Sequence, residues 1–200
     1  MIGAMILLPL LLIFGVASAF LGVYSSDDSL IEEEEIYVTD RGFTLPFKDD
    51  TYYMITSNYG GRIDPINRTQ AVHHGIDIGI PIGTDILSVA NGKVILVVNG
   101  STGLGNHVYI SHNIEDKVYI SVYGHMKNNS IVVKEGQIVN AKDKIGIVGN
   151  TGRVFPQPTA LNPDAGTHLH FELHQDQRKI DGTTELDPTF IFKKDNKKWD

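Results

Sequence analysis

From Tyr52 onward the chain has no stretch with a convincing helical period; short runs of β-branched and aromatic residues alternate instead with glycine- and asparagine-bearing turns. Residues 52–56 stop at Asn58-Tyr59-Gly60-Gly61, and residues 85–90 run into Asn91-Gly92. That pair favours a two-residue hairpin turn leading into a strand over 93–98. Further strands are predicted at 106–112, 118–123, 131–133, 144–148 and 167–174, with a short helical turn at 187–192. This pattern predicts an all-β chain: an antiparallel β-sandwich or partly open barrel with long loops around a groove. Residues 153–166 carry Pro156, Pro158 and Pro163 and form a long loop before the last strong strand. Long loops without regular structure are often functional walls.

At 200 residues there is room for one ordinary domain and an appendage. A domain of this size buries enough core to stand without staples. That matters because the chain has no cysteine, which excludes both a disulfide framework and a thiolate metal site. The formal charge of −7 offers no basic footprint, so no nucleic-acid partner is expected.

Residues 2–24 carry no charged side chain and are densely apolar from Ile6 to Phe14. Such a run is long enough to cross a bilayer as one hydrophobic helix. Asp27, Asp28 and the four glutamates 32–35 follow at once, and no Lys or Arg precedes it. Export of the acidic side is the expected orientation. Two readings stay open: a single-pass membrane anchor, or a signal peptide recognised at the small residues Ala17-Ser18-Ala19. A buried core helix is disfavoured because the run is apolar all round. The expected division is therefore an anchor or signal at 1–24, an acidic spacer at 25–50, the main domain at 51–192 and a basic tail at 193–200.

Three clusters in the main domain carry chemistry. In residues 167–174 strict alternation puts Leu169, Phe171 and Leu173 on one face and His168, His170, Glu172 and His174 on the other. Two histidines at i and i+2 reach one small volume, so one can ligate a metal while the other works on a substrate. In Val72-His73-His74-Gly75-Ile76-Asp77, an extended chain projects His73 and Asp77 to one side, and Gly75 leaves room for close approach. His74 falls on the opposite side and reads as a neighbour. His125, in Tyr123-Gly124-His125, is the third. No cluster convinces alone. Together they supply three candidate ligands of two chemical types and two spare histidines, as an open hydrolytic zinc site needs.

The order of these motifs resembles the lysostaphin-type, LytM-like zinc endopeptidase family over about residues 55–174. The resemblance rests on Asn58-Tyr59-Gly60-Gly61-Arg62, on His73-x-x-x-Asp77, on Gly83-Thr84 and on Ala90-Asn91-Gly92-Lys93-Val94. It extends to Tyr123-Gly124-His125, Val133-Lys134-Glu135-Gly136-Gln137, Gly149-Asn150-Thr151-Gly152 and His168-Leu169-His170-Phe171-Glu172. It implies an antiparallel β fold, one Zn²⁺ per chain held by His73, Asp77 and His170, and catalytic histidines at His125 and His168. The implied substrate is the peptide part of bacterial peptidoglycan, cross-bridge or stem, with cell-wall proteins as further partners. Asn58, Arg62, Phe155 and Leu161 are the candidate substrate contacts. Glu172 reads either as the partner that orients an imidazole or as a mere strand-face residue. The chain departs from the family in the length of residues 153–166, which bears on specificity, and mildly at His74. Some relatives have lost ligands and act only as regulators, so a catalytically silent, membrane-tethered regulator is the alternative; this chain keeps every ligand position. A phosphocarrier- or lipoyl-like module, suggested by residues 133–139, is weakened by Asp77 and the exported N-terminus.

Overall fold

The computed structural model describes residues 38–192. The apolar N-terminal segment, the acidic run and the basic tail lie outside them. Among the described residues no helix is long and apolar enough to cross a membrane.

Twelve short strands and one 3₁₀ turn make up the described body. In chain order they are β1 (Met54–Ser57), β2 (Gly60–Ile63), β3 (Gln70–His73), β4 (Ile76–Gly79), β5 (Asp85–Leu87) and β6 (Gly92–Val98). There follow β7 (Asn106–Ile114), β8 (Lys117–Met126), β9 (Ile138–Val139), β10 (Lys144–Ile147), β11 (Leu169–Gln175), β12 (Glu185–Leu186) and the turn Pro188–Phe192. The main sheet runs β1-β4-β11-β8-β7-β6-β9, with β12 also paired to β11. All its pairings are antiparallel. β5 pairs with β10 and β2 with β3 as two separate small sheets. The expected antiparallel all-β class therefore holds.

Alternation decides which face of the main sheet is dry. Ile76 and Ile78 of β4 sit opposite Phe171 and Leu169 of β11, and Phe171 sits opposite Tyr123 of β8. All five are fully buried, in one cluster with Ile86 of β5 and Ile145 of β10. The small β5–β10 sheet thus contributes to the same core. The other face of β4, β11 and β8 carries Asp77, His170, Glu172 and His174, which are free of the apolar core and build the site described below.

Several expectations need correction. Asn91-Gly92 does not close a hairpin: β5 pairs with β10, whereas β6 pairs with β7 and β9. Gly92 has no positive φ. A Cβ there would lie 2.5 Å from the Ser111 carbonyl oxygen and 2.6 Å from His112 Nδ1, so the glycine serves close packing instead of a turn. Residues 131–133 form no strand; Val132 donates one backbone bond to Ile145 at 3.1 Å without a ladder. Phe43, Leu45 and Phe47, within the stretch read as spacer, have 0% exposure and belong to the core. Lys142 holds them there, donating to the carbonyls of Leu45 and Phe47 and to Asp49. The folded body therefore begins upstream of Tyr52.

Candidate metal centre

Asp77 and His170 face each other directly across the β4–β11 ladder on the non-core face. His73 arrives from the separate β2–β3 hairpin, whose last residue it is. His73 and Asp77 thus converge from two strands joined at His74-Gly75, not from one extended strand. Gly75 is indispensable to that link. A Cβ on it would lie 2.3 Å from the Phe171 carbonyl oxygen, because the chain is pressed against β11.

His73 Nε2, Asp77 Oδ1 and His170 Nδ1 form a near-equilateral triangle, with separations of 3.0 Å, 2.9 Å and 3.1 Å. The far side of each ring decides what this triangle is. His73 Nδ1 lies 2.8 Å from the Asn58 carbonyl oxygen, which can only accept, so the proton sits there and Nε2 is left bare. His170 Nε2 faces Glu172 Oε1 at 3.2 Å, which leaves Nδ1 bare. Two lone pairs and a carboxylate oxygen thus point at one spot, an arrangement that repels itself unless a proton or a cation lies between them. The pKa of His170 agrees: burial pushes it down, but Asp77 and Glu172 outweigh burial and raise it to about 9. For Asp77, burial acts to raise the pKa, and the imidazoles of His168, His170 and His73 gathered around it outweigh burial, holding the carboxylate far below its usual range.

Two imidazole nitrogens and one carboxylate oxygen, with no thiolate, are a zinc-type donor set with a fourth position open. The triangle edges are close to the roughly 3.3 Å edge of a zinc tetrahedron. These residues fit the metal. Arg62, a candidate substrate contact, lines the groove and donates to the second oxygen of Asp77 at 3.0 Å and to Ser57 Oγ. Glu172 holds His170, lies 2.8 Å from His174 Nε2, and accepts two bonds from Arg178, at 2.8 and 3.0 Å. Burial disfavours the Glu172 charge, but His170, His174 and Arg178 more than compensate and hold its pKa well below the carboxylate range.

His125 and His168 stand beside the triangle, their ring centroids 4.6 Å apart. Each has Nδ1 against a backbone carbonyl, Thr151 at 2.7 Å and Gly166 at 2.8 Å, so each presents Nε2 to the groove. His168 Nε2 lies 3.4 Å from Asp77 Oδ1. His125 reaches its place through a bulge: Asn106 pairs with Met126 and Val108 with Tyr123, so Gly124 and His125 together oppose His107. His125 has φ 58°, an unusual backbone state that redirects the ring. Burial, then the charges of His168 and His170, lower its pKa to about 3, so it is neutral near pH 7.

These groups line a groove of about 770 Å³. The β2–β3 hairpin forms one wall, with Ile63 and Val72. Residues 153–156, including Phe155, form another. Leu161 is 99% exposed and outside the lining, and the Asn58 side chain is also absent from it. His74 pairs with Glu185 and belongs to no metal triangle. Sequence reasoning missed Arg178, Asp64 and Arg153. Arg178 lies in irregular chain where no periodicity marks it, and Asp64 and Arg153 gain meaning only from their contact.

Peptidase family M23 matches residues 71–182. Peptidoglycan DD-endopeptidase ShyB of Vibrio cholerae is 32% identical over 169 residues, 84% of this chain and 36% of that protein. Murein hydrolase activator NlpD of Escherichia coli is 31% identical over 121 residues, 60% of this chain and 28% of that one. The crystal structure of a zinc containing peptidase from Vibrio cholerae superposes with a TM-score of 0.56 at 30% identity, covering 78% of this chain and 40% of that one. The chain thus spans about a third of the curated relatives it matches.

Proposed function

The chain belongs to Peptidase family M23, and from that membership we propose that it is a zinc-dependent endopeptidase that cleaves the peptide part of bacterial peptidoglycan outside the cytoplasm. The observation that carries the proposal is the convergence of three bare acceptor atoms, from His73, Asp77 and His170, beside two histidines that present Nε2 to the same groove. In this reading those three residues hold zinc, which supplies an acidified water and a polarised scissile carbonyl. His125 and His168 act on the substrate. Their backbone-held Nδ1 protons leave Nε2 free to take a proton from the attacking water and, once protonated, to steady the oxyanion or pass the proton to the leaving amine. His125 is neutral near pH 7, so its Nε2 carries a lone pair. Glu172 and Arg62 orient the ligands, and the apolar N-terminal segment directs the domain to the outer side of a membrane.

NlpD, named as an activator of murein hydrolases, favours a second reading in which the chain regulates other wall enzymes through protein contacts. One experiment separates the two. Purified protein is incubated with defined peptidoglycans, with zinc content measured in parallel and released fragments identified by mass spectrometry. The enzymatic reading expects about one zinc per chain and fragments cut in the peptide. His125→Ala and His168→Ala are expected to keep zinc and lose roughly 10²-fold or more in rate. Zinc-loaded protein that releases nothing from any peptidoglycan would overturn the enzymatic reading in favour of the regulator.

A further inference from the structure

The β2–β3 hairpin is a wall of the groove, yet among the described residues it pairs with no other strand. Its tip, residues 64–69, is joined across the groove to residues 153–156 by two contacts. Arg153 donates from Nη1 and Nη2 to the two oxygens of Asp64, each at 2.9 Å, a bidentate pair. The Arg68 guanidinium lies 5.9 Å from the centre of the Phe155 ring. Asp64 is set for its part, because Oδ1 also accepts the backbone N–H groups of Ile66 and Asn67, at 2.9 and 2.7 Å. Arg153 is likewise tethered, its own N–H bonding the Gly103 carbonyl at 2.8 Å. Both partners are therefore placed on their own walls before they meet. None of these contacts touches the metal triangle.

We propose that Asp64–Arg153, supported by Arg68–Phe155, is a latch that fixes the spacing of the two groove walls, making Asp64 and Arg153 positioning residues for peptide binding and not for bond cleavage. The proposal rests on the groove being the substrate site of the endopeptidase. A wall held at one spacing binds a peptide without first having to be ordered; a loose one must be ordered by the substrate itself. Loosening the latch raises KM and leaves the chemistry of the bound complex intact. A bidentate pair is directional, so Arg153→Lys keeps the charge but not the geometry.

Asp64→Asn tests the pair cleanly, because the amide oxygen can still cap the turn at Ile66 and Asn67 while the charge is lost. Arg153→Gln removes the other partner. Each is expected to retain full zinc and to raise KM about tenfold with kcat within about twofold of the parent. The double variant is expected to be no worse than either single, since the two residues act as one unit. Arg153→Lys should recover only part of the loss. Unchanged KM, a fall in kcat, lost zinc or additive single effects would each overturn the latch. Hydrogen exchange gives a readout without turnover. In either single variant, amides of 60–73 and of 153–156 are expected to exchange faster together, and unchanged exchange overturns the proposal. If the parent protein cleaves no peptidoglycan, the endopeptidase reading fails while this exchange result still decides the latch.

Discussion

His170 is gripped between two carboxylates, Asp77 at Nδ1 and Glu172 at Nε2. A histidine bound on one side and hydrogen-bonded to a carboxylate on the other is a fixed tautomer with a stronger donor atom. Glu172→Gln keeps the size and an acceptor but removes the charge. It is expected to weaken zinc binding by about 10- to 100-fold, measured by competition with a chromophoric chelator. An unchanged affinity would mean that Glu172 serves only the strand. His73→Ala, Asp77→Ala and His170→Ala are each expected to abolish stoichiometric zinc, and full retention in all three would remove the proposed ligand set. At this scale the sequence was informative about type and poor about contact. The alternation in 167–174 put His168, His170 and Glu172 on one side, but no pattern could show that Arg62 would spend its guanidinium on Asp77.

Elements bring these residues together, and close backbone approach sets how. The β3–β4 link lies so near β11 that only a glycine fits at 75: a methyl carbon there would sit 2.3 Å from the Phe171 carbonyl oxygen and 3.0 Å from Glu172 Cγ. Gly75→Ala must push the link away and separate His73 from Asp77. It is expected to cost about 1–3 kcal/mol in unfolding free energy and to weaken zinc binding. Gly61→Ala is the control, since a Cβ there meets nothing within 4 Å. Equal behaviour of the two variants would contradict the argument. Strands such as β7, β8 and β11 were legible because seven to ten residues of alternation outweigh local noise. β9 and β12 have two residues each and exist only through their partners, and β2 and β3 pair only with each other among the described residues. The bulge that turns His125 into the groove left no mark beyond the neighbouring Gly124.

The molecule as a whole places a histidine in its dry interior. His112 is 1% exposed, lies edge-on to Phe43, donates Nδ1–H to the Asn91 carbonyl at 3.0 Å and has Nε2 2.7 Å from Ser121 Oγ. Burial lowers its pKa to about 4 from the ordinary 6.5. The unfolded chain therefore binds a proton between pH 6.5 and 4 that the folded one refuses. Its contribution to stability is full above 6.5, falls as pH drops through this window and is gone below about 4, a loss of about 3 kcal/mol. Urea unfolding of chelator-treated protein from pH 7 to 4 should show this slope, reduced by about that amount in His112→Gln; identical slopes would refute it. The sequence by itself determined the strand-and-turn class and offered side chains of metal-binding type, because alternation and residue chemistry are local properties; which of them would be ligands came only from the resemblance. It also supported the family resemblance. Only the tertiary structure decided that 43–47 belong to the core, that β5 pairs with β10, that His73 comes from a separate hairpin, and that Asp64 meets Arg153. Each of those depends on which segments, far apart in the chain, bury their faces against one another, and that is settled by the energy of the whole packing and not by any local pattern.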